Sequence, residues 1–95
     1  MYLCIAYDIS SNRLRVKAAK MCRRIGLVRL QRSVFVGETR ADLLAELEQT
    51  FRPVLPVADK LVIIRLEKSE YHNILQMSKN PALQHLRIPL AVWNL

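Results

Sequence analysis

The spacing of apolar and polar positions changes several times along this chain, and each change marks an element. Tyr2 to Tyr7 form an uninterrupted apolar run that ends in a carboxylate, Asp8. The run is short and rich in strand-forming residues, which predicts a strand buried on both faces; a membrane span needs about 20 apolar residues. Asp8 then sits where the strand surfaces, half desolvated and in need of a cation, a metal or backbone donors. From Arg13 to Ile25 the apolar residues Leu14, Ala18, Met21, Cys22 and Ile25 fall on one face of an α-helix, with Asn12 as a cap and Gly26 as a stop.

Leu27 to Val36 reads as a second strand closed by Gly37. Val28, Leu30, Val34 and Val36 share a parity that Arg32 also occupies, so either a bulge lies near Gln31 to Ser33 or Arg32 meets a partner at the sheet surface. Thr39 is placed to cap a second helix, with Asp42 three residues on and Leu43, Leu44, Leu47 and Phe51 as its buried stripe. Pro53 helps to end it. Leu61 to Leu66 is a third strand, and its near-continuous apolar run predicts a central place in the sheet. Glu70 to Met77 reads as a short helix in preference to a short strand, and Asn80-Pro81 as a turn. Leu86 to Val92 alternates as a final strand, which Pro89 confines to an edge or a subunit boundary.

This order predicts an α+β fold, a ferredoxin-like βαββαβ sandwich with an extra C-terminal edge strand, in one domain spanning residues 1–95. The 95 residues are 52% hydrophobic, enough for one small core. Such a domain often gains stability by pairing with a copy of itself, and Gln31, Arg32 and Ser33 predict a polar, occluded dimer interface. Cys4 and Cys22 lack metal-ligand spacing and read as small buried hydrophobes. No signal segment is expected, and the cytoplasm is the default location.

Charge changes this picture. Fifteen Lys and Arg against eight Asp and Glu give a formal net charge of +7, which makes nucleic acid the leading class of partner. Arg13, Lys17, Lys20 and Arg24 recur at helical spacing as a stripe about 16 Å long, flanked by Arg15 and Arg23. No acid interrupts the six cations. Their mutual repulsion is a cost that a polyanion would relieve, so phosphate contact is favoured over a plain solvated face. Asp8 alone is a poor catalytic inventory, because metal-assisted phosphodiester cleavage usually uses several acidic ligands. Two copies of Asp8 brought together in a dimer could share one Mg²⁺; the bland alternative is that Asp8 caps the helix start or binds an arginine.

Tyr7-Asp8-Ile9-Ser10, Arg13-Leu14-Arg15, Gly26-Leu27 and the run Gln31 to Gly37 together resemble CRISPR-associated protein 2 over roughly residues 1 to 66. The resemblance implies a symmetric homodimer placed between two dimers of the CRISPR-associated integrase, protein 1, holding double-stranded DNA for spacer acquisition in antiviral defence. By position, Asp8 matches an acid that can share a divalent metal across the dimer axis, and Arg13 and Arg15 match residues that hold the DNA backbone. Lys17, Lys20 and Arg24 extend that surface. Residues 79–95 resemble the segment that pairs across the dimer or docks the integrase. The family resemblance also implies the alternative of an Mg²⁺-dependent endonuclease on RNA or DNA, with Asp8 catalytic. A single-stranded RNA-binding module is a weaker reading, since Phe35 is the only aromatic suited to stacking in the second strand and the third strand has none.

Overall fold

The computed structural model describes residues 1–75. Its order is β1 (Tyr2–Asp8), α1 (Asn12–Arg24), β2 (Val28–Gln31), β3 (Val34–Glu38), α2 (Ala41–Phe51), β4 (Lys60–Leu66) and a short α3 (Lys68–His72). The first six elements are the βαββαβ succession that the chain predicts. The strands form one antiparallel sheet in the order β2-β3-β1-β4.

Alternation in β1 sorts the sheet into two faces. Leu3, Ile5 and Tyr7 point to the helix side and join Phe35, Ala18, Ala19, Cys22, Leu44, Leu47 and Phe51 in one core. The register pairs Ile5 with both Phe35 and Ile63, so the same face continues across three strands. Cys4, Ala6, Val36, Val62 and Ile64 lie on the other face. Val62 and Ile64 are about half exposed there.

Several expectations change. Leu27 to Val36 is a hairpin, not one strand: the register shifts between Arg29 and Gln31, and the chain reverses at Arg32 and Ser33. The turn carries no Gly or Asn, so the usual hairpin signal is missing. Arg32 and Ser33 are therefore turn residues, and the sheet face away from the helices is apolar where a polar interface is expected. β4 is at an edge of the sheet among the described residues, not at its centre. Its apolar run has two sources: Leu61 and Ile63 pack against the core, while Val62 and Ile64 lie on the opposite face. Cys22 is fully buried but Cys4 is only half-buried, because it belongs to that opposite face.

Capping also shifts. Ser11, not Asn12, caps α1, its hydroxyl accepting from the Leu14 N–H at 3.3 Å. Arg40 occupies the cap of α2 without a side-chain bond, and Thr39 instead donates its hydroxyl to the Ile25 carbonyl at 2.6 Å. That buried bond ties the end of α1 to the end of β3. Gly26 does end α1: it takes φ 99°, a conformation that disfavours a Cβ. Gly37 serves close approach, since a Cβ there would come within 3.2 Å of the Leu27 Cα. The short helix near Glu70 exists but starts earlier and ends at His72, with Glu67 and Glu70 forming a capping box. The turn at Asn80-Pro81, the final strand and the docking segment 79–95 lie outside the described residues.

Candidate nucleic-acid interface

The β1–α1 turn is the organising point of the site, and three side chains hold it. Asp59, just before β4 and buried, accepts from the Ser10 N–H at 3.2 Å and from the Ser10 hydroxyl at 2.9 Å, both through Oδ1. Its Oδ2 is buried with no hydrogen-bond partner among the described residues. From the other side Arg15 Nη1 donates to the Ile9 and Ser10 carbonyls, each at 3.0 Å, and Nη2 donates to Asn12 Oδ1 at 3.4 Å. Ser11 completes the turn as the helix cap. These bonds fix where the chain leaves β1 and therefore where α1 begins.

Asp8 lies at the end of β1, exposed, in register with Lys60 of β4. It is not half desolvated as expected. It lies at the C-terminal end of β1, a strand flanked by β3 and β4, and it forms no ion pair with a described residue. Nor does it cap α1, which is the role of Ser11. Magnesium takes six oxygens in near-octahedral geometry. Among the described residues no group of three or more His, Cys, Asp or Glu could hold a metal ion; magnesium keeps several waters and is commonly held by one or two carboxylates.

The six cations of α1 divide by environment. Arg13, Lys17, Lys20, Arg23 and Arg24 are exposed, and Arg15 is half-buried through the bonds just described. Lys17 lies over the Phe51 ring with its ammonium 5.9 Å from the centroid. Arg24 pairs with Glu46 of α2 at 2.7 Å. Arg13 and Lys20 form no ion pair with described residues.

Helical spacing does not reveal a second cationic surface that the fold assembles. Between α1 and the β2–β3 hairpin lies a cleft of about 280 Å³ lined by Arg15, Lys20, Arg23, Arg29 and Arg32, together with Asn12, Ser33 and the edge of Tyr7. Arg23 and Arg29 both place their guanidinium carbons over the Phe35 ring, at 5.8 and 5.1 Å from its centroid. Phe35 is fully buried and stacks with Tyr7 at 6.3 Å, so neither ring is a base-stacking platform. Burial pushes the Cys22 thiol up to about 12, against the lowering influence of Arg23 and Arg29. Cys22 is thus a protonated packing residue. The hairpin arginines were legible as charges, but only the hairpin brings them to α1.

A βαββαβ sheet with both main helices on one face, one of them bearing six cations and no acid, defines a ferredoxin-like domain with a basic helix surface. Comparison with known proteins gives the family. The family described as CRISPR associated protein Cas2 matches residues 1–74, and this chain belongs to it. It is 30% identical over 82 residues to "CRISPR-associated endoribonuclease Cas2 2" of Pyrobaculum aerophilum, covering 85% of this chain and 90% of that protein. It is 33% identical over 89 residues to the "CRISPR-associated endonuclease Cas1/endonuclease Cas2 fusion" of Thermoproteus tenax, covering 93% of this chain but 34% of the fusion. The chain thus spans about a third of that relative's length. The crystal structure of Streptococcus pyogenes Cas2 superimposes with a TM-score of 0.68 at 20% identity, over 82% of this chain and 100% of that one, which shows the fold. No helix among the described residues is long and apolar enough to cross a membrane.

Proposed function

We propose that this chain is the DNA-holding subunit of CRISPR adaptation, acting as a homodimer beside the integrase subunit during spacer acquisition. The observation that carries the reading is α1, which presents Arg13, Lys17, Lys20 and Arg24 on its outer side and has no acid of its own. A duplex bound there would release counterions in proportion to the phosphates neutralised. The Thermoproteus tenax relative, named as a fusion of Cas1 and Cas2, supports a partnership with the integrase. The half-exposed Val62 and Ile64, beside the free edge of β4 among the described residues, support pairing with a second copy. In this reading Arg15 holds the β1–α1 turn through three acceptors and reaches phosphate only with its remaining donors.

The test is duplex binding over a salt series with the full chain. Arg13→Ala with Lys17→Ala should lower the slope of log K against log salt by about 0.9 for each phosphate that the variant no longer neutralises. An unchanged slope sinks the reading.

A second reading, a metal-dependent nuclease using Asp8, is favoured by the name of the Pyrobaculum relative and by the exposed position of Asp8. A Mg²⁺ ion there would be shared with the Asp8 of a second copy, and it would supply charge neutralisation at a scissile phosphate. Comparing wild type with Asp8→Asn in RNA and DNA cleavage and in reconstituted integration separates the two. Integration that needs the protein but tolerates Asp8→Asn supports the holding role, and cleavage lost in Asp8→Asn with the dimer intact supports the nuclease.

A further inference from the structure

We propose that the cleft between α1 and the β2–β3 hairpin is a second phosphate seat, where the backbone of a bound duplex continues from the outer side of α1 onto the hairpin. The proposal rests on the reading that α1 holds DNA, and adds Arg23, Arg29 and Arg32 to the contact.

The first support is the absence of an internal counter-ion. The eight acids of the whole sequence are Asp8, Glu38, Asp42, Glu46, Glu48, Asp59, Glu67 and Glu70, and none lines the cleft. Five cations therefore face one small space with no carboxylate side chain beside them. Like charges held this close repel, and an anion seated between them removes that cost.

The second support is orientation. Arg23 and Arg29 share the Phe35 ring, which is fully buried in the core. Contact with that ring restricts the rotamers of the two side chains, so less rotamer freedom is lost on binding. Arg32 enters from the hairpin turn, and Asn12 and Ser33 add neutral polar groups.

The third support distinguishes backbone from base. Among the described residues the aromatic side chains at the cleft are Tyr7, 7% exposed, and the buried Phe35 beneath Arg23 and Arg29, so none of these rings is free to stack on an unpaired base. Forked donors without a stacking platform suit phosphates of a duplex. Lys20 belongs both to the outer stripe and to the cleft lining, and it makes the two surfaces continuous.

The experiment measures affinity of the full chain for a mixed-sequence duplex across a salt series, with melting curves to confirm folding. Arg32→Ala alters an exposed turn residue, and Arg29→Gln removes the charge over Phe35 while keeping a polar side chain. Each should lower the salt slope by about 0.9 and weaken binding at low salt, while Arg52→Ala on the α2 side should not. If wild type fails to bind duplex, both the holding role and this seat fall. Should wild type bind and Arg13→Ala with Lys17→Ala reduce its slope while both hairpin variants retain it, this seat alone is overturned. Hairpin variants that keep the duplex slope but lose association with the integrase subunit also overturn it, since the cleft would then face a protein.

Discussion

The two main helices lie side by side on one sheet face and are built on opposite terms. α1 fully buries only small residues, Ala18, Ala19 and Cys22, with Leu14 and Met21 partly buried beside them, and carries six cations without an acid. α2 buries Leu44, Leu47 and Phe51 and carries Asp42, Glu46 and Glu48 without a cation. Large side chains make α2 the anchor of the core, while small ones let α1 sit against the sheet with its charges outward. The helices exchange charge at one described ion pair, Arg24 to Glu46. A polyanion would therefore approach the α1 side and be repelled from the α2 side.

The largest difference between the helices lies in the core. Leu47→Ala should cost about 2–5 kcal/mol of unfolding free energy, read from denaturant curves, because it leaves a cavity under α2. Duplex affinity per folded molecule should stay unchanged, and a parallel loss of affinity would mean that α2 contributes to binding. On the α1 side, Ala18→Leu should cost about 1–3 kcal/mol by overpacking, since Ala18 is fully buried.

Asp59→Ala tests the fixed start of α1. Losing the acceptor for both Ser10 donors should cost about 1–3 kcal/mol and speed hydrogen exchange at the Ser10 amide. Asp59→Asn keeps an acceptor oxygen and should lie close to wild type. Equal exchange rates in all three proteins would show that Arg15 alone holds the turn.

Glu46→Lys sharpens the boundary between the helices. The Arg24–Glu46 pair is exposed, so its loss should cost under about 1 kcal/mol. The added cation beside Arg24 should tighten duplex binding and steepen its salt dependence.

The smallest effect is at the start of α2. A hydrogen bond from Arg40 holds the Asp42 carboxyl below the ordinary carboxylate value. A depressed folded pKa favours the fold above the unfolded pKa, and that support is lost as pH falls through the folded value. Arg40→Ala should move the Asp42 titration upward in an NMR series, with little change in melting temperature.

Local patterns made much of the architecture legible. Helical spacing marked the buried faces of α1 and α2, and the apolar runs marked β1 and β4, because both periodicities depend on near neighbours. Gly26 announced the end of α1 through its backbone freedom. The hairpin was not legible: Arg32 and Ser33 carry no standard turn signal, and the strands on either side read as one. Edge or centre was equally hidden in β4, since an apolar run does not say what covers its second face.

In the sequence by itself, spacing along single elements was enough to mark β1, α1, α2 and β4 and to concentrate the cations on α1, but not to divide β2 from β3. Tertiary structure decided how those cations are used. It turned Arg15 into its own turn, laid Lys17 over Phe51, joined Arg24 to Glu46 and brought Arg29 and Arg32 beside Arg23. These are meetings between residues distant in the chain, and only the folded sheet sets the distances on which hydrogen bonds and Coulomb forces depend.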